Sequence, residues 1–128
     1  MRDILILQLI SDATQAIPSA AALSVLAAFA VHEAGHCLAA RLFGEKLAFR
    51  FALGRLFGKI PIPRFIWDMP ESLTARQKKI VALAGFGLEL LAALPCALKG
   101  FWIYPAAAAL HLALYPLYAG ENNDFRWV

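Results

Sequence analysis

The sequence has little charge. Asp, Glu, Lys and Arg make up 16% of its 128 residues while hydrophobic types make up 61%, against about 25% charged and 45–50% apolar in ordinary soluble domains. That balance excludes a disordered chain and argues against a water-soluble fold. Cysteine is scarce as well: Cys37 and Cys96 stand far apart in apolar surroundings without Cys-x-x-Cys spacing. Neither a disulfide framework nor a cysteine-built metal site is indicated, and both read as packing residues. No internal repeat occurs, and residues 106–109, four alanines, are simply good helix former. The length suits one domain.

The few charges are concentrated. Nine of the twelve Lys and Arg fall between residues 41 and 79, and the stretches on either side are nearly uncharged. A basic connector between apolar stretches is what the positive-inside rule places in the cytoplasm. No nucleic-acid motif accompanies the charge, so nucleic acid is not an expected partner.

Residues 4–10 (ILILQLI) are apolar, but seven residues fall far below the roughly 20 a helix needs to cross hydrocarbon. Asp3, Gln8, Asp12 and Gln15 interrupt any secretory-signal pattern, so the segment reads as a strand or interfacial piece. Residues 18–43 form the first expected span, with Pro18 in its first turn and Gly44 in the left-handed position after it. The connector, residues 45–66, reads as a small sheet: residues 47–51 alternate, and Pro61 and Pro63 exclude a helix interior between 59 and 66. Thr74 followed by Gln77 fits a capping box opening the second span, 75–98, which carries Pro95 as an expected kink and ends at Lys99 and Gly100. Residues 101–119 form the third, with Pro105 near its start, a kink expected at Pro116 and Gly120 closing it. The expected fold class is mainly α: a polytopic membrane protein with three transmembrane helices and a small β-sheet between the first two. The C-terminus then lies on the cytoplasmic side, with Trp102, Tyr104 and Trp127 as interfacial anchors.

Within the first span stands His32-Glu33-Ala34-Gly35-His36, an HExxH sequence. Positions i and i+4 project from one helix face, so both imidazoles can reach one Zn²⁺, and Glu33 can act as general base on a water held there. By this chain's composition a chance HExxH is expected about 0.003 times. Two of its three histidines are used in it.

HEAGHCLAARLFG, the basic connector with its expected sheet, and AGFGLEL in the second span together resemble the site-2 protease family of intramembrane zinc metalloproteases. Phe86 and Glu89 stand where that family's AGPxxN segment has Pro and Asn. The resemblance implies a core of three membrane helices, one zinc ion per chain, and hydrolysis of peptide bonds in or beside a substrate's transmembrane segment. Zinc then needs a third protein ligand and an open fourth position. Asp124, Glu89, His111 and Glu121 compete. The resemblance favours Asp124, in Asn122-Asn123-Asp124 after the third span, although Phe125 follows where the family has Gly. The chain after Gly120 must then fold back inward to reach His36.

Glu89 lies mid-span on a face with the small residues Gly85 and Ala92. It would accept the free N–H of a zinc-bound histidine or hold substrate backbone, and His111 would be a ligand, a stabiliser of the transition-state oxyanion or, the first expectation, a histidine bonded to a neighbouring helix. Asn122 and Asn123 are further candidates for supporting the site or contacting substrate. Residues 47–51 offer a strand edge for an unwound substrate. The expectation is therefore an intramembrane zinc endopeptidase in a cytoplasmic membrane, its active site toward the cytoplasm, with the lipid bilayer and membrane-protein or transmembrane-peptide substrates as partners. Its rivals are a catalytically silent scaffold of the same fold and a metal transport or storage protein. Oligomeric state stays open.

Overall fold

The computed structural model describes the backbone of residues 2–56, 59–119 and 124–128, and the side chains of those outside 2–16, 56, 62–65 and 118–119. Its elements run α1 (Arg2–Leu42), β1 (Phe49–Leu56), β2 (Ile60–Trp67), α2 (Ala75–Leu98), α3 (Ile103–Ala119) and a closing 3₁₀ turn, Asp124–Trp127. The two strands pair antiparallel, Phe49 opposite Trp67 and Leu56 opposite Ile60. The helices pack on one another, α1 against both α2 and α3, and the 3₁₀ turn lies on α2.

Several elements stand where the residues place them. Gly44 adopts φ +82 after α1 and Gly100 φ +80 after α2, a backbone region in which a side chain would clash. Thr74 caps α2 reciprocally: its hydroxyl accepts from the Gln77 N–H at 3.3 Å, and the Gln77 side chain accepts from the Thr74 N–H at 2.8 Å. This cap is exposed, so Thr74→Ala is expected to lower stability by about 1 kcal/mol, read from unfolding in detergent, and to leave the distant site intact.

Other elements differ from expectation. Residues 4–10 are neither strand nor a separate interfacial piece; they belong to α1, which runs on through Pro18. No glycine or turn sequence separates them from residue 17, so helix propagates across one proline at the loss of the bond to the residue 14 carbonyl. Pro18 is thus an interior residue. β1 begins two residues later than the alternation indicates, because Leu47 packs against the core cluster instead. Ala93 rather than Ala92 continues the buried face of α2. Helices α2 and α3 continue through Pro95 and Pro116. Trp127 packs against the core formed by Ala39, Ala40, Met69, Leu73, Val81 and Ala82 rather than standing free as an anchor.

Burial is inverted relative to a soluble protein. His32, His36 and Glu89 are each 1% exposed, whereas Leu91 is 68% and Leu98 80% exposed. On the helices many large apolar side chains face outward, while His32, His36, Glu89 and His111 face inward. Ile17–Leu42 and Ala75–Leu98 are long and apolar enough to cross a membrane. The third helix is shorter: its 17 residues reach about 26 Å, just under the roughly 30 Å of a bilayer core.

Candidate metal centre

The helical spacing of the HExxH segment sets both imidazoles on one face of α1, turned toward α2. What brings the helices close is glycine. A Cβ on Gly35 would run into the Ala84 carbonyl, and one on Gly85 would stand 2.5 Å from His36 Nε2 and 2.8 Å from His32 Cε1. The buried face of α2 reads Val81, Gly85, Glu89 and Ala93, a repeat of four that carries carbonyl, gap, carboxylate and methyl past the histidines.

Each imidazole is oriented by its outer nitrogen. His36 Nδ1–H donates to the Val81 carbonyl at 2.7 Å, and His32 Nδ1–H donates to Glu89 Oε2 at 3.2 Å. A carbonyl and a carboxylate can only accept, so each Nδ1 carries a proton, and in the neutral ring each Nε2 presents a lone pair. Those lone pairs converge. The two Nε2 atoms are 3.1 Å apart, and Asp124 Oδ2 lies 3.1 Å from one and 3.0 Å from the other.

Three acceptors facing one another in a buried site repel unless a cation or protons stand among them. His32, His36 and Asp124 can therefore hold a metal ion. Zinc bonds of about 2.0–2.1 Å in a tetrahedral arrangement need donor separations of about 3.3–3.4 Å, so these three would have to part by only a few tenths of an ångström. Burial pushes the Asp124 carboxyl upward, but N–H bonds from the two rings, made when protons rather than a cation stand among these atoms, outweigh it and hold the group at about 2.

Asp124 reaches the site because its turn is anchored. Its N–H donates to the Tyr115 hydroxyl at 3.1 Å, and the next residue, Phe125, stacks on Phe86 with centroids 5.4 Å apart and planes 6° from parallel. Trp127 is held from two sides of the sequence, by Lys78 at 5.7 Å and Arg126 at 4.7 Å from its ring. On the hairpin side, the Trp67 ring lies 4.7 Å from that of His36.

Glu33 sits one residue around α1 from His32, half-buried, and its Oε2 is enclosed without a hydrogen-bond partner among the described residues. A buried carboxylate oxygen in that condition needs a donor, and a water at the site would supply one. Glu89 and His111 form an adjoining group: His111 Nδ1–H reaches both Glu89 oxygens at 2.9 Å. The structure thus brings His32, His36, Asp124, Glu89 and His111 together beside Glu33. Asn122 and Asn123, and the competitor Glu121, lie outside the described residues. Cys37 and Cys96 are unpaired by disulfide. Tyr115, Trp67, and the Val81 carbonyl are site neighbours that sequence reasoning missed. Tyr115 alone carried a signal, four residues after His111 and so on its face of α3.

Comparison with protein-family models, curated proteins and solved structures returned no match.

Proposed function

We propose that the protein is an intramembrane zinc metalloendopeptidase that hydrolyses peptide bonds in or near transmembrane segments of membrane proteins. The observation that carries the reading is the meeting of two imidazole Nε2 atoms and one carboxylate oxygen within about 3.1 Å of one another. The Glu33 carboxylate, with one oxygen unpartnered among the described residues, adjoins them on the same helix. Outward-facing leucines on α1, α2 and α3 support a bilayer setting for all three helices, with the basic connector and the C-terminal turn on the cytoplasmic side.

His32, His36 and Asp124 would hold Zn²⁺ and leave its fourth position open. Zinc in that place supplies Lewis acidity, lowering the pKa of a water to about 7 and polarising the scissile carbonyl. Glu33 accepts the water's proton as its oxygen bonds to the carbonyl carbon. The same carboxyl then returns the proton to the departing amine nitrogen as the C–N bond breaks. A helical substrate has its carbonyls bonded and shielded, so it must be extended first, and the edge of β1 not paired with β2 offers a template for that.

Glu33→Gln keeps the shape and removes the base. Cleavage of a co-expressed single-pass membrane reporter is expected to fall by about 10²–10⁴-fold, while detergent-purified protein keeps its zinc. Cleavage that persists in Glu33→Gln would overturn the mechanism. A wild type that retains zinc and cuts no membrane reporter would instead be a scaffold.

A further inference from the structure

We propose that His111 is a positioning residue of the metal centre, acting through Glu89 on His32. This rests on the zinc reading above and assigns a buried histidine that the hydrolytic steps leave unused. His111 comes from α3, Glu89 from α2 and His32 from α1, so one row of hydrogen bonds ties all three helices at the depth of the site.

The geometry divides the work. The Glu89 carboxylate receives His111 Nδ1–H at 2.9 Å on each oxygen, and His32 Nδ1–H at 3.2 Å on Oε2 alone. The shorter, two-oxygen grip fixes the carboxylate plane, and the fixed plane tells the His32 ring how to turn. With His111 removed, Glu89 is free to rotate about its terminal torsions, and the single remaining bond no longer holds His32 Nε2 in line with His36 and Asp124. The ring itself is enclosed, 4.5 Å from Phe29 and 4.9 Å from His32 between centroids, and it is 7% exposed. His111 therefore does not meet substrate. Its influence runs inward through a carboxylate that no proline-and-asparagine motif would provide at position 89.

The decisive pair of variants is His111→Phe and His111→Asn. Phenylalanine keeps a ring and deletes the donor. Asparagine loses the ring but places its amide nitrogen the same number of bonds from Cα as Nδ1, so it restores the donor.

Zinc affinity by chelator competition and the visible spectrum of the cobalt-loaded protein are measured in detergent, with helix content checked by circular dichroism. His111→Phe is expected to weaken zinc about 10–100-fold and to shift the cobalt bands, with His111→Asn recovering most of both. Wild-type affinity and spectrum in His111→Phe would overturn the proposal, as would equal losses in the two variants, which would mark a packing role. In either case wild type still binds metal and the zinc reading stands. If wild type takes up neither zinc nor cobalt, both fall together.

Discussion

Replacing Gly85 by alanine is expected to empty the metal centre while leaving the helices formed. The added Cβ would stand 2.5 Å from His36 Nε2, 2.7 Å from His36 Cε1 and 2.8 Å from His32 Cε1, all well inside contact distance. Something must yield, and the choices are unequal. Moving α2 away would part Gly35 from Ala84 as well and cost about 1–3 kcal/mol of overpacking strain. Turning the imidazoles aside breaks their Nδ1 bonds to Glu89 and the Val81 carbonyl and shifts their ring contacts with Phe86 and Trp67. Both routes misalign the Nε2 atoms. Zinc content of Gly85→Ala should fall below a tenth of one ion per chain under conditions that saturate wild type. Gly87→Ala is the control: its Cβ meets nothing within 4 Å on an exposed face of the same helix. There the change should raise helix stability by about 1 kcal/mol and leave zinc untouched. Equal zinc in both variants would show that the donors do not use the gap at Gly85.

The local signals in the chain were readable because each rests on a few adjacent residues. Thr74 and Gln77 bracket one helical turn, and His32 and His36 lie one turn apart, so type and spacing were enough. The inward position of Glu89 followed from the cost of a carboxylate among apolar neighbours. What stayed hidden depends on partners remote in the chain. Nothing near Pro18 announces that α1 continues upstream of it, since the gain comes from helix propagation on both sides. Trp67 and Tyr115 flank the histidines only because a hairpin and a third helix deliver them there. The depth of Asp124 was legible only as a requirement that the tail fold inward; the means is an aromatic contact.

Phe86 in α2 and Phe125, the residue after Asp124, stack on each other. The two rings form one docking contact, with Tyr115 completing it 4.9 Å from the Phe86 ring and 6.0 Å from that of Phe125.

That contact leads to a graded test of the third ligand. Asp124→Ala removes the one carboxylate oxygen that, among the described residues, faces both Nε2 atoms, and with two imidazoles left, retained zinc should fall below one tenth of an ion per chain after dialysis against a mild chelator. Phe125→Ala keeps that carboxylate but loosens its delivery. An aromatic pair contributes about 0.5–1.5 kcal/mol beyond area burial, and each 1.4 kcal/mol is about tenfold in affinity, so zinc should weaken by about two- to tenfold with stoichiometry preserved. Phe86→Ala combined with Phe125→Ala should add little to either alone, because both delete the same stack. The order of losses matters more than any one value. Asp124→Ala binding as well as wild type would remove the tail from the centre and leave Glu89 with His111 as the remaining acid and ring beside His32. Losses in the double variant equal to the sum of the two singles would separate the rings energetically and deny the stack its part in carrying Asp124 inward.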